Sequence, residues 1–137
     1  MKIEPGRWNE IGVVSLGLDD KLVLPDTAHV PAIYRFRLTD GGTTSVYIGE
    51  SEDISRRFGQ YRTPESSQRT NIRVNKWISD CIKAGDRLEV AVVAEAVLRV
   101  GESCEQLDLG SRTSRLLVEE HLLEEVRRAG ETVMNLS

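Results

Sequence analysis

Cys81 and Cys104 are the only cysteines in the 137 residues, and neither has a CxxC partner or a histidine at zinc-ligand spacing. Neither a disulfide framework nor a structural zinc site is expected. Long apolar runs are also missing: nowhere do about eighteen apolar residues follow one another, and 1–9, with Glu4, Pro5 and Arg7, has no stretch of signal-peptide length. No membrane segment is expected, and the expected location is cytoplasmic. The third absence is an excess of positive charge, since the net charge is −4 and the pI about 5.3, which argues against a uniformly basic nucleic-acid binder. Repeats and low-complexity tracts are absent as well. What remains is 39% hydrophobic and 29% charged, a globular mixture rather than a disordered one. A chain of this length buries roughly 68% of its unfolded surface, and one domain over 1–137 is expected.

Hydrophobic periodicity divides the chain. Short apolar runs at 11–16 and 22–24, separated by Gly17, Asp19 and Asp20, form a candidate hairpin within an N-terminal extension covering 1–30. Residues 32–38 alternate, with Ala32, Tyr34, Phe36 and Leu38 on one face and Arg35 and Arg37 on the other, which predicts a half-buried strand. Asp40-Gly41-Gly42 marks a turn into a returning strand over 45–49. From Asp53, a plausible N-cap, Ile54, Phe58 and Tyr61 recur at helical steps. A second helix is predicted over 71–84, with Val74, Trp77, Ile78 and Cys81 inward and Gly85 as its stop. A valine-rich central strand over 88–97 follows, then a long loop over 98–112. A third helix over 113–129 carries Leu116, Leu117, Leu122, Leu123 and Val126 as its apolar set, and a short extended segment over 133–136 ends the chain. This order predicts an α+β fold: a small antiparallel sheet of about three strands, extended by the N-terminal hairpin if that forms, flanked by about three helices.

The acidic average conceals a segregation. Between 54 and 76 the basic residues are Arg56, Arg57, Arg62, Arg69, Arg73 and Lys76, against the single acid Glu65. A local cationic face on an acidic body suits a site that grips phosphate; a solvated helix face is the alternative. Arg57 lies three residues after Ile54 and four before Tyr61, so it shares their inward stripe, whereas Arg56 points nearly the opposite way. An arginine in an apolar stripe either snorkels or has a partner, and a phosphate is a suitable one. Glu119 stands three residues after Leu116 and three before Leu122, where an unpaired carboxylate is expensive and a hard cation with oxygen ligands relieves the cost. Glu120 is the adjacent alternative. On residue type alone Tyr34 and Tyr47 are packing residues, as are Trp8 and Trp77, and neither His29 nor His121 has a second ligand at helical spacing.

Tyr34 of Ala32-Ile33-Tyr34 stands thirteen residues before Tyr47 of Tyr47-Ile48-Gly49; Arg57 follows ten residues after Tyr47, and Tyr61 four beyond that. With a glutamate on a late helix and Asn135 near the C-terminus, the region 32–135 resembles the GIY-YIG nuclease family. Ala32 replaces the first glycine of the motif. The resemblance implies a metal-dependent endonuclease that hydrolyses phosphodiesters of DNA, with RNA the less favoured substrate. It implies an active site of Tyr34, Tyr47, Arg57, Tyr61, Glu119 and Asn135. In it Tyr47 is the general base for water, Tyr34 and Tyr61 hold water and phosphate, Arg57 stabilises the crowded intermediate, and Asn135 supports the site from the sheet. Glu119, or alternatively Glu120, is the metal ligand. Magnesium (Mg2+) is the expected ion, or another divalent cation such as Mn2+, because the candidate ligand is a carboxylate. Arg69, Arg73 and Lys76, together with Arg56, are the candidate nucleic-acid contacts. The alternatives are a nucleic-acid-binding module that keeps the fold without cutting, and a protein-interaction domain.

Overall fold

Alternation between 32 and 40 produces the organising strand of the computed structural model, which describes residues 1–135. The elements are β1 (Lys2–Pro5), β2 (Asn9–Val13), β3 (Ser15–Leu16), β4 (Leu22–Val23), β5 (Ala32–Asp40), β6 (Thr43–Ser51), α1 (Ile54–Arg62), α2 (Arg69–Lys83), β7 (Leu88–Val93), β8 (Ala96–Val100), β9 (Ser103–Gln106), α3 (Arg112–Arg128) and β10 (Thr132–Val133). β5 and β6 are joined by the expected tight turn. Gly41 and Gly42 have φ of 55° and 88°, a doubly left-handed pair that side chains resist and that matches the twist of a two-residue hairpin.

The architecture is mixed α+β, but its sheets exceed the expected three strands. A five-stranded sheet runs in the order β10-β6-β5-β7-β2, antiparallel except where β10 joins β6 in parallel. One face carries Tyr34, Phe36, Leu38 and Tyr47 against Ile54, Phe58 and Tyr61 of α1 and Val74 and Ile78 of α2. The other carries Ile33, Val46 and Ile48 against Val118, Leu122, Leu123 and Val126 of α3. β5 is therefore covered on both sides rather than half-buried. Arg35 lies over the Trp8 ring at 4.7 Å and pairs with Glu10; Arg37 pairs with Glu131.

Three further sequence expectations are corrected. The stretch 88–97 is not one strand: the chain leaves the main sheet after Val93 and re-pairs from Ala96 onwards with β1. β1 and β2 bend at the same level, where Gly6 N–H donates to the Glu95 carbonyl at 2.7 Å, so the N-terminal segment belongs to both sheets. The predicted loop over 98–112 holds the β8–β9 hairpin, completing a second sheet in the order β1-β8-β9. Leu116 and Leu117 are not core residues, being 43% and 47% exposed; the buried stripe of α3 is Arg115, Val118, Leu122, Leu123 and Val126. Of the expected hairpin between 11–16 and 22–24, only Ser15–Leu16 and Leu22–Val23 pair, as β3 and β4; 11–13 belong to β2, which pairs with β7 in the main sheet. Of the extended segment over 133–136, Leu136 lies outside the described residues. No helix among the described residues is long and apolar enough to cross a membrane.

Candidate active site

Register places the tyrosines. Tyr34 pairs with Gly49 and Phe36 with Tyr47 across the β5–β6 ladder, so both tyrosines share the face beneath α1. The Tyr34 ring crosses directly over Gly49: a Cβ there would lie 2.3 Å from the Tyr34 hydroxyl oxygen and 2.4 Å from Cζ, so no side chain fits. Phe58 and Tyr61 close the cluster from α1, each meeting Tyr34 edge-on at 5.6 and 5.8 Å between ring centres. α1 is aimed by its cap, the Asp53 carboxylate accepting from Arg56 N–H at 3.0 Å.

Buried phenols need hydrogen-bond partners. The Tyr34 and Tyr61 hydroxyls bond each other, and Arg57 Nη1 approaches the Tyr34 hydroxyl at 3.5 Å. Burial raises all three phenols well above the ordinary value of 10, and the Arg57 charge only partly offsets it. At neutral pH they are protonated and can donate. Burial works against the Arg57 charge too, but the oxygens of Tyr34 and Tyr61 more than offset it, so the guanidinium stays charged. Arg56 points to solvent and pairs with Glu52.

β6 brings the second half of the site to the same place. β10 pairs with it only at Ser45 and Val46, and beyond that a side chain replaces the missing strand. Asn135 Oδ1 accepts from Ile48 N–H at 2.9 Å and Nδ2 donates to the Ile48 carbonyl at 2.5 Å, satisfying both backbone groups. Glu119 comes from α3, half-buried at the margin of its apolar stripe and close enough to Tyr47 and Arg57 to interact with both electrostatically. Its carboxyl is pushed up to about 7, first by burial, then by Glu50 and Glu120, with Arg57 opposing. Glu120 is exposed and pairs with Arg127.

Sequence reasoning missed Glu50 and Arg115. Arg115 is only 5% exposed; its Nε donates to Glu50 and its Nη1 to the carbonyls of Leu109 and Gly110, both at 3.0 Å. The signal was available. Arg115 precedes Val118 by three residues and Glu119 by four, so it is an arginine in an apolar stripe, as Arg57 is.

Two clefts meet at Arg57. One, of roughly 430 Å³, is lined by Glu50, Arg56, Arg57, Arg112 and Arg115 among others; the second, of roughly 620 Å³, by Arg57, Gln60, Gln68, Arg69 and Asn71. Of the other basic candidates, Arg73 borders a small apolar cavity with Tyr47, Trp77 and Met134, and Lys76 is paired with Asp80 away from the site. His29 pairs with Asp53 and His121 with Glu125.

No group of three or more metal-ligating side chains occurs among the described residues. The donor set is Glu119, since Glu50 is already held by Arg115. A hard cation that keeps several waters and takes the rest of its shell from phosphate oxygens fits a site of this kind, and a carboxylate crowded by like charges gains from it.

No protein-family profile matches the chain, and no curated protein matches it. Among solved structures it is similar to that of a glutamate-to-alanine mutant of bacteriophage T4 EndoII, with a TM-score of 0.61 and 14% sequence identity. The match covers 94% of this chain and 92% of that one, so the likeness is one of fold over nearly the whole length of both.

Proposed function

We propose that this chain is a divalent-cation-dependent endonuclease that hydrolyses DNA phosphodiester bonds at a GIY-YIG-type site. The observation that carries the reading is the meeting of Tyr34, Tyr47 and Tyr61 with the charged Arg57 on one face of the sheet, with Glu119 coupled electrostatically to Tyr47 and Arg57. Further support is the resemblance in motif spacing and a fold like that of T4 EndoII, an endonuclease by its name.

The residues divide the work as follows. Tyr47 first gives up its own proton to solvent. Water then attacks phosphorus in line, its proton passes to the Tyr47 phenolate, and the bond to the leaving oxygen breaks, that oxygen departing with the electron pair. Tyr47 is a poor base while burial and the Glu119 charge disfavour its anion, so it depends on positive charge close by. Arg57 supplies part of that charge and directs the rest at the phosphate oxygens, where charge accumulates. Tyr34 and Tyr61, held protonated, donate to the water and the phosphate. Asn135 fixes the β6 backbone one residue beyond Tyr47. A cation held by Glu119 supplies Lewis-acid stabilisation of the phosphate and the leaving oxygen when bound.

The test is incubation with supercoiled plasmid. Nicked or linear product that requires magnesium and disappears in Glu119→Ala supports the reading. Salt-dependent binding without cleavage at any divalent-ion concentration contradicts it and selects the non-cutting module.

A further inference from the structure

The arginines of this acidic chain fall into two groups. Arg35, Arg37, Arg56, Arg87, Arg99, Arg115, Arg127 and Arg128 each lie within ion-pair distance of a glutamate. Arg57, Arg69 and Arg112 have no carboxylate within 4 Å among the described residues, although acids outnumber bases in the sequence. These three line the two clefts that meet at Arg57. In the first cleft the acids are already neutralised, Glu50 by Arg115 and Glu52 by Arg56, which leaves Arg57 and Arg112 as the uncompensated charges. The second cleft has no acid in its lining at all: Arg57 and Arg69 stand among the uncharged donors Gln60, Ser67, Gln68, Thr70 and Asn71.

From this arrangement, and resting on the nuclease reading for the identity of the ligand, we infer that one DNA strand runs through both clefts, bent over Arg57, with Arg112 gripping phosphate on one side of the scissile bond and Arg69 on the other. The chemistry of the linings suits a sugar-phosphate backbone. Phosphates are recognised by guanidinium groups, and the positioning contacts to phosphate and sugar come largely from uncharged donors of the kind that fill the second cleft. Both gripping residues also open helices, Arg69 the first residue of α2 and Arg112 that of α3, and neither first turn contains an acid. A cation there is set against the helix dipole, so neither arginine serves its own helix; an anion lodged beside it interacts favourably with both. Arg7, Arg62 and Arg73 have no carboxylate partner among the described residues either, but they line neither cleft. Arg56 lines the first cleft but its charge is held by Glu52, and Lys76, held by Asp80, lines neither cleft.

The experiment compares the full chain with Arg112→Ala, Arg69→Ala and the control Arg99→Ala. Binding of a fluorescein-labelled DNA duplex is followed by anisotropy in EDTA across a salt series. Each cleft variant is expected to weaken binding and to reduce the slope of log K against log salt by about 0.9, the value for one phosphate contact, with Arg99→Ala unchanged. Single-turnover cleavage of duplexes carrying one methylphosphonate then assigns the sides. Neutralising a phosphate on one side of the cut should slow the unmodified protein and Arg69→Ala but leave Arg112→Ala no slower than on the normal duplex, and the other side should show the reverse. Slopes unchanged in both variants, or loss of sensitivity to the same phosphate in both, overturn the path while leaving plasmid cleavage intact. Salt-independent binding by the unmodified protein overturns the path and the nuclease reading together.

Discussion

Glu119→Gln keeps the shape of the side chain and removes its charge, so it sets the cost of the carboxylate to the fold against its use in the reaction. In the folded chain the carboxyl is pushed up from 4.5 to about 7, chiefly by burial and then by Glu50 and Glu120. The folded value lies above the unfolded one, so between these pH values the folded protein retains a proton that the unfolded chain has released. The contribution to stability is complete below about 4.5 and is lost as pH rises through about 7. At about 1.4 kcal/mol per pH unit the interval sets a ceiling of about 3 kcal/mol, and solvent screening of a half-buried group reduces it to roughly 1–2 kcal/mol. At pH 8 in EDTA, Glu119→Gln is therefore expected to melt roughly 3–8 °C above the unmodified protein, and at pH 4 the gap should close. Magnesium should raise the melting temperature of the unmodified protein alone. Circular dichroism melts at the two pH values suffice. A variant less stable than its parent at pH 8, or an advantage of equal size at pH 4, refutes the account of Glu119 as a carboxylate strained by its surroundings.

Gly49→Ala forces a methyl group to within 2.3 Å of the Tyr34 hydroxyl, and the ring, fully buried against Phe58 and Tyr61, has nowhere to go; a loss of about 3 kcal/mol is expected in urea unfolding, and a loss below about 1 kcal/mol contradicts that packing. Asn135→Ala leaves the N–H and carbonyl of Ile48 without their partners, at a cost of about 1–3 kcal/mol, with faster hydrogen exchange at the Ile48 amide as the local readout. Arg115→Met strands Glu50 in a buried setting and should cost about 3–5 kcal/mol, part of which Glu50→Gln in the same chain restores; no recovery in the double variant would place the cost elsewhere.

The parts of the fold visible in the sequence are those where local chemistry and burial agree. Gly41 and Gly42 supply the left-handed turn, Asp53 caps α1, and β5 alternates because its Tyr34 face is fully apolar. The β8–β9 hairpin was hidden because β9 is exposed along its whole length, so it has no apolar period to detect. The break between β7 and β8 was hidden for a different reason. It falls at Ala94-Glu95 between two valine-rich stretches, where no glycine or proline marks it, and its partner is Gly6 in the link between β1 and β2, whose N–H bonds the Glu95 carbonyl. In α3 the exposed Leu116 and Leu117 suggested a helical phase that the burial of Arg115 and Val118 corrects. Arg115, one turn before Glu119, is anchored by Glu50 and the Leu109 and Gly110 carbonyls, and Glu119 is half-buried beside this stripe. Among the site residues, the tyrosines and Arg57 were legible from their spacing. The Glu50–Arg115 pair was not, since its partners are far apart in sequence; Arg115 alone carried a signal, its place in the apolar stripe, whereas Glu50 resembles an ordinary surface charge.

The most direct test of the account is the single-turnover rate of DNA cleavage, with saturating protein and magnesium, for Arg57→Ala beside Arg56→Ala. The two residues are neighbours in sequence with the same charge, but Arg57 reaches the Tyr34 hydroxyl whereas Arg56 is exposed and paired with Glu52. A preorganised charge at the reacting phosphate is typically worth about 3–4 kcal/mol. Arg57→Ala is therefore expected to slow cleavage by roughly a hundredfold or more, with Arg56→Ala close to the unmodified rate. Equal losses in the two variants, or a larger loss at Arg56, would contradict the assignment of the tyrosine cluster and Arg57 as the centre of the reaction.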